Sequence, residues 1–300
     1  VPRPRLQRVT RYLLRKLIAH PRRVAPLLFA AQIFAPLLPA ALRRKVPQRQ
    51  RRTAWPQQTQ ARRMLVLAGC VQSVATPHTN AAAARVLNRL GIQLVEAPEA
   101  GCCGAVSHHL SAQQEGLDFM RRNIDAWWPY VEQGMEAILV TASGCGAVVK
   151  EYGHLLAQDP AYAKKARRVS ELARDISEVL RDADFQTAGL KRPSRRVAFH
   201  SPCTLQHGQQ LNGVVETILR RAGFTLTRVT DTHLCCGSAG TYSILQPELS
   251  QQLLANKLAA LQQDEPDVIA TANIGCQMHL ASKSGHPVKH WIELLDEVMH

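Results

Sequence analysis

Eight cysteines fall into two copies of one spacing. Cys70, Cys102, Cys103 and Cys145 form the first set, and Cys203, Cys235, Cys236 and Cys276 the second. Cys70 to Cys203, Cys102 to Cys235 and Cys103 to Cys236 are each 133 residues, and Cys145 to Cys276 is 131. Each half reads C-x31-C-C-G followed by a separate Gly-Cys. The flanks agree: Gly101–Gly104 (GCCG) matches Leu234–Gly237 (LCCG), and Thr141–Cys145 (TASGC) matches Thr271–Cys276 (TANIGC). The half-ends ARDISEVL (173–180) and HWIELLDEVM (290–299) also resemble each other. Self-similarity at so long a period marks an internal duplication, so the chain must adopt one fold twice.

The pattern around the cysteines specifies that fold. Short apolar runs, MLVLA (64–68), IQLVEA (92–97) and AILVTA (137–142), alternate with helical stretches near 78–90 and 111–127. The order returns as RVAFH (196–200), FTLTRV (224–229) and DVIATA (267–272), with helices near 209–222 and 247–263. Alternating strands and helices imply parallel sheets with right-handed crossovers. The expected class is α/β: two pseudo-repeated cysteine-rich parallel-sheet domains preceded by a helical arm. The expected bounds are an arm and linker over 1–63, domains over 64–182 and 195–300, and a linker over 183–194.

Every cysteine follows a predicted strand. Loops at the carboxyl ends of parallel strands gather on one edge, where such folds bind ligands. Gly104 and Gly237 let the backbone turn after each vicinal pair. Gly144 and Gly275 precede the last cysteine of each half, at a helix start that favours thiolate.

Four readings compete for these sulfurs. Buried free cysteine does not account for adjacent pairs duplicated in register. A vicinal disulfide is strained and leaves the other cysteines without a role. Structural zinc takes four ligands but is more often held by paired C-x2-C knuckles, which are absent here. An iron–sulfur cluster held by thiolates is the best fit. No secretory signal is visible, and a chain of 300 residues is no short disulfide scaffold, so a reducing compartment is expected.

Charge is confined to one end. Residues 1–63 hold 16 of the 37 Lys and Arg and no Asp or Glu, leaving 21 basic against 23 acidic groups beyond. The body is near neutral and aromatics are 5%, so the basic pI does not point to nucleic acid. Residues 10–20 predict a short basic amphipathic helix. Residues 24–42 form an apolar run between Arg22, Arg23 and Arg43, Arg44, Lys45. That length suits a marginal membrane span, but Pro26, Pro36 and Pro39 break a continuous helix. A kinked helix pair packed on a neighbouring domain or subunit is expected, with docking to a membrane surface as the alternative. The first residue is Val1, and the natural start is expected upstream.

The C-x31-CCG…C arrangement, twice over, resembles the cysteine-rich CCG-domain proteins. These include the heterodisulfide reductase B subunit, the iron–sulfur subunit of anaerobic glycerol-3-phosphate dehydrogenase and lactate-utilisation proteins. The stretches LAGCVQ (67–72), GCCGAVSHHL (101–110), RRNIDAWWPY (121–130) and TASGCGAVVKEYGHLL (141–156) are most similar to iron–sulfur subunits of bacterial glycolate oxidase (glycolate dehydrogenase). So are HSPCTLQHGQ (200–209), CCGSAGTYSILQPELS (235–250) and ANIGCQMHL (272–280). The resemblance spans the whole chain. It implies all eight cysteines as cluster ligands, most readily of the four-iron four-sulfur type. Full-length family members add a ferredoxin-like region with C-x2-C-x2-C-x3-C-P runs, which this sequence lacks. The heterodisulfide reductase pattern ends in C-x2-C and holds a five-cysteine cluster, whereas here Cys276 is followed by Gln277, Met278 and His279.

His279 stands where that extra cysteine would be, and a core or solvated histidine is its plainer reading. His108, His109, His200, His207 and His233 lie near cysteine loops and are candidates for hydrogen bonds to sulfur.

The resemblance implies an electron-transfer subunit of a glycolate (2-hydroxy acid) dehydrogenase. FAD would sit on partner subunits, and electrons would pass towards quinone. The expected site is cytoplasmic, peripheral at the inner face of the cell membrane. No catalytic residue is assigned, since hydride chemistry needs a flavin or nicotinamide and no G-x-G-x-x-G follows a strand. Two alternatives stay open: a scaffold whose sites hold zinc or nothing, and a thiol–disulfide reductase of the heterodisulfide type.

Overall fold

A computed structural model describes residues 4–39, 43–44, 46–50, 53–185, 190–191 and 193–299. The body is two parallel four-stranded sheets of the same topology. The first comprises β1 (Arg62–Val66), β2 (Ile92–Glu96), β3 (Ile138–Val140) and β4 (Ala173–Asp175), in the order β2-β1-β3-β4. The second comprises β5 (Arg196–His200), β6 (Thr225–Leu226), β7 (Val268–Thr271) and β8 (Val288–His290), in the order β6-β5-β7-β8. The registers repeat as well: Val66 pairs with Leu139 as Phe199 pairs with Ala270.

The inner strands β1, β3, β5 and β7 bury side chains on both faces, as parallel strands covered by helices must. Met64 and Val66 of β1 face one core and Leu65 another. In β5, Val197 and Phe199 face that same first core while Ala198 faces away. The shared core lies between the sheets and takes in helices His78–Arg89, Ile176–Leu180, Val214–Arg221 and Trp291–Val298. Polar ties close its rim: Thr79 Oγ1 donates to Glu293 at 2.6 Å, and Arg85 grips Asp296.

Several expectations need adjusting. The outer strands β4 and β8 were not expected; they are three residues each, β4 opening the half-end 173–180 and β8 ending on His290, the first residue of the other. The helix expected near 111–127 spans Gln113–Glu132, and the one near 209–222 is Val214–Arg221, entered through Gly213 at φ +76°. Strand pairing at 224–229 is confined to Thr225–Leu226. Part of the expected 183–194 linker is packed, since Phe185 is buried in the shared core; residues 186–189 and 192 lie outside the described residues.

The arm is helical over Arg5–Ile18 and Pro21–Ile33. Contrary to expectation, Pro26 sits inside the second helix. It removes one intrahelical bond without ending the helix, which stops just before Pro36. The end of the apolar run at 40–42, and Lys45, lie outside the described residues. Among the described residues no helix is long and apolar enough to cross a membrane.

Candidate metal centres

In each half the cysteines emerge from three loops beyond the carboxyl ends of the strands. Cys70 follows β1, Cys102 and Cys103 follow β2, and Cys145 lies in the first turn of helix Ser143–Lys150 beyond β3. Cys203, Cys235, Cys236 and Cys276 repeat this after β5, β6 and β7, Cys276 in the first turn of helix Ile274–Ala281. All eight are free thiols; Cys145, Cys203 and Cys235 are half-buried and the rest buried.

The sulfurs of each half act on one another in series. Cys102 is held well below the ordinary thiol range by Cys103 and Cys70, helped by the Gly104 N–H and the Arg122 charge. Its partners Cys70 and Cys103 are pushed up, each chiefly by its bond to Cys102; Cys103 also meets Cys145. In the second half Cys235 is lowered by Cys203 and Cys236, and Gly237 N–H reaches its Sγ at 3.3 Å. Cys276 is lowered by Cys236, by His200 and by Asn273, whose Nδ2 lies 3.6 Å from Sγ. Thiolates are thus favoured beside thiols, and a metal would displace the remaining protons.

The backbone under each vicinal pair is fixed. Gly104 (φ +90°) and Gly237 (φ +83°) take a left-handed turn, and a Cβ there would lie 2.6 Å from the Gly116 carbonyl oxygen and 2.5 Å from that of Ser250. In the first half Asn123 Nδ2 donates to Cys102 O at 2.9 Å, its Oδ1 accepts Gly101 N–H, and Tyr152 Oη donates to Cys103 O at 2.8 Å. In the second half Ser250 Oγ donates to Gly237 O at 2.8 Å. Seven residues along from Gly116 and Ser250 stand Asn123 and Lys257. Fully buried Lys257 donates to the carbonyls of Asp231 and Thr232. Burial lowers its pKa, while Cys203 and Cys236 act to raise it.

The histidines separate clearly. His109, His207 and His233 are exposed. His279 bonds to Ser250 Oγ at 3.0 Å rather than joining the sulfurs. His200 alone among the candidates is buried with them: one of its nitrogens and the sulfurs of Cys236 and Cys276 all lie within 4.8 Å of one another.

The arm covers the first centre. Ala19 is 1% exposed and packs with Cys70, Cys102 and Phe119. Lys16 and Arg15 pair with Glu115, which also accepts the Ser107 hydroxyl. Leu28 reaches the patch holding Ala75, Ala142 and Ile274, beside Cys145. Between the two centres, Ser143 N–H donates to Ala272 O at 2.9 Å and Gly144 N–H to Asn273 Oδ1 at 3.4 Å. Asn123, Tyr152, Lys257, Asn273 and the covering role of Ala19 were not anticipated; of these, only Asn273 carried a signal, in the TANIGC recurrence.

Soft sulfurs and one imidazole suit iron–sulfur or zinc rather than hard cations. Five buried and three half-buried cysteines, four to each half, fit an iron–sulfur cluster in each.

Comparison with known proteins agrees. The CCG cysteine-rich domain family matches residues 64–150 and 197–281. Over all 300 residues the chain is 51% identical to the glycolate oxidase iron–sulfur subunit of Escherichia coli (strain K12), covering 74% of that protein. It is 30% identical over 221 residues to the probable glycolate oxidase iron–sulfur subunit of Bacillus subtilis (strain 168), covering 73% of this chain and 49% of the relative. Identity to lactate utilization protein A of Bacillus licheniformis is 27% over 237 residues, 77% of this chain and 93% of the relative.

Proposed function

The chain belongs to the CCG cysteine-rich family and, within it, to the iron–sulfur subunits of glycolate oxidase, and on that premise we propose that it carries electrons away from a flavin subunit that oxidises glycolate. The observation that carries this reading is the convergence of four thiols per half, from three loops, at one edge of each sheet.

Cys70, Cys102, Cys103 and Cys145 would hold one iron–sulfur cluster, and Cys203, Cys235, Cys236 and Cys276 a second, each of the four-iron four-sulfur type. Such a centre takes up and passes on single electrons. The chain's residues bind and enclose it. Gly104 and Gly237 set the vicinal pairs; in the first half Asn123 and Tyr152 hold the carbonyls of the pair and Ala19 covers it. Alcohol oxidation delivers two electrons, which a flavin takes before releasing them singly; that flavin, FAD, belongs to partner subunits. A ferredoxin-like segment completes the path, and quinone at the inner face of the cell membrane is the acceptor. The exposed apolar residues Leu6, Val9, Leu13 and Leu17, on a helix rich in arginine, suit docking to that membrane or to a partner. D-Lactate is a second candidate substrate, given the lactate utilization relatives.

One observation favours a second reading. His200, Cys236 and Cys276 lie close enough to share one ion, which suits structural zinc in the second half.

The test is glycolate-dependent dye reduction. The isolated chain should show none, and turnover should appear when flavin subunits and a ferredoxin-like segment are supplied. Activity of the isolated chain without flavin in its absorption spectrum overturns the reading.

A further inference from the structure

We infer that His200 is a nitrogen ligand of the second-half centre in place of one of that half's four thiolates, so that this centre is a mixed nitrogen–sulfur one of higher potential than its all-thiolate counterpart. This rests on the iron–sulfur reading and goes beyond it, since the cysteine pattern by itself assigns no histidine to either half.

Register identifies the position. Val66 pairs with Leu139 and Phe199 with Ala270, so the next residues, Leu67 and His200, occupy the same place in the two sheets. Each stands three residues before the first cysteine of its half. Leu67 is an ordinary core side chain, buried in the cluster that contains Cys103. His200 is 1% exposed, so an apolar residue would fit here as it does in the other half.

The imidazole has no oxygen or nitrogen partner at either Nδ1 or Nε2; what it meets is sulfur, and it acts on Cys276. A buried polar group left so carries its full desolvation penalty. A metal-ligating histidine usually donates its other ring N–H to a carboxylate, a carbonyl or water; no oxygen of the described residues takes that place at His200. What it does have is a nitrogen within 4.8 Å of the Cys236 and Cys276 sulfurs. Among the described residues this is the one group of three metal-binding side chains so placed. A metal bound by that nitrogen satisfies it.

The potential follows from charge. Exchanging thiolate for neutral imidazole raises a cluster's potential, as in centres where histidine replaces cysteine on iron. Lys257 acts in the same direction: it stands where the first half has uncharged Asn123, buried beside Cys203, Cys236 and Cys235. The first half has Leu67 at the histidine's place, and its own cation is Arg122, which acts on Cys102, so the difference between the centres rests on the imidazole. With His200 as a ligand, the second centre would be the better electron acceptor of the two.

The experiment uses the full chain, reconstituted anaerobically with iron and sulfide and grown with either natural-abundance or ¹⁵N-labelled histidine. Pulsed EPR of the reduced protein should show a strong coupling to a directly bound nitrogen on one centre, shifted by the label. A redox titration should resolve two potentials. In His200→Cys the nitrogen coupling should disappear, iron content should stay, and only the higher potential should fall. His200→Leu should also lose the coupling. Two iron–sulfur centres with no strongly coupled nitrogen, or a coupling that survives in His200→Cys, overturn this inference alone. A wild-type chain that takes up no iron overturns the reading beneath it as well.

Discussion

The imidazole of His290 joins the two halves: its Nε2–H donates to the carbonyl oxygen of Thr141 at 2.9 Å, while its Nδ1 accepts the N–H of Ile292 and caps helix Trp291–Val298. Asp175 holds the equivalent station in the first half, ending β4 and capping helix Ile176–Leu180 through Ser177 N–H. Thr271 pairs with His290 as Val140 pairs with Asp175.

Both caps are buried, and they give opposite pH dependences. Burial lowers His290 to about 4, so the unfolded chain binds its proton first and stability is lost as pH falls from 6.5 towards 4. Burial raises Asp175 to about 6, so its contribution is present below the ordinary carboxyl range and lost as pH rises from 3.8 towards 6. Each is worth up to about 3 kcal/mol, and they offset one another across that window. Relative to wild type, Asp175→Asn should lose stability more steeply on acidification from pH 6 to 4, and His290→Asn should gain it. Urea unfolding across pH 4–7 checks this. Variants whose curves stay parallel to wild type would contradict it.

Gly104→Ala and Gly237→Ala should each damage one half. The left-handed turn alone costs about 1–3 kcal/mol for a non-glycine residue, and the added methyl meets a helix carbonyl at 2.6 or 2.5 Å. Iron content per chain and unfolding midpoint should both fall, in each variant at its own centre. Full iron loading with unchanged stability would show that the turn is not needed.

Removing the arm should uncover the first centre and spare the second. Ala19 packs on Cys70 and Cys102, and the Lys16 and Arg15 pairing with Glu115 holds it there. A chain lacking residues 1–33, and the full chain carrying Ala19→Glu, should lose the first centre's EPR signal in air several-fold faster than wild type. Equal rates would mean that the arm does not shield this site.

Tyr152→Phe should loosen the first vicinal pair. Its hydroxyl donates to Cys103 O and accepts from Asn123, so removal leaves buried partners unmet at about 1–3 kcal/mol. Unfolding should show that loss, with the second centre's spectrum unchanged; a stability equal to wild type would refute the bridging role.

The repeat made much of this architecture readable, because duplicated cysteines fix which loops must converge. The outer strands β4 and β8 were harder: ARD and VKH are three residues each and carry charges, so periodicity had nothing to register. The recurring half-ends covered β4 but reached β8 only at His290. Lys257 sits in an apolar helix and reads as a solvated lysine until the fold turns it inward onto two carbonyls. The choice between His279 and His200 depended on direction rather than spacing, since His279 is nearer Cys276 in sequence but turns to Ser250. The contact of Ala19 with Cys70 and Cys102 is tertiary and leaves no mark on the residues around it.

The central claim is that each half holds its own iron–sulfur centre on side chains of that half, its cysteines above all. The most direct measurement is iron, acid-labile sulfide and zinc per chain in anaerobically reconstituted wild type, Cys102→Ser and Cys235→Ser. The account predicts iron and sulfide in equal amounts in wild type, little zinc, and loss of about half of both in each variant, with a different EPR signal missing from each. Zinc without sulfide, or one substitution that removes both centres while the chain stays folded, would contradict it.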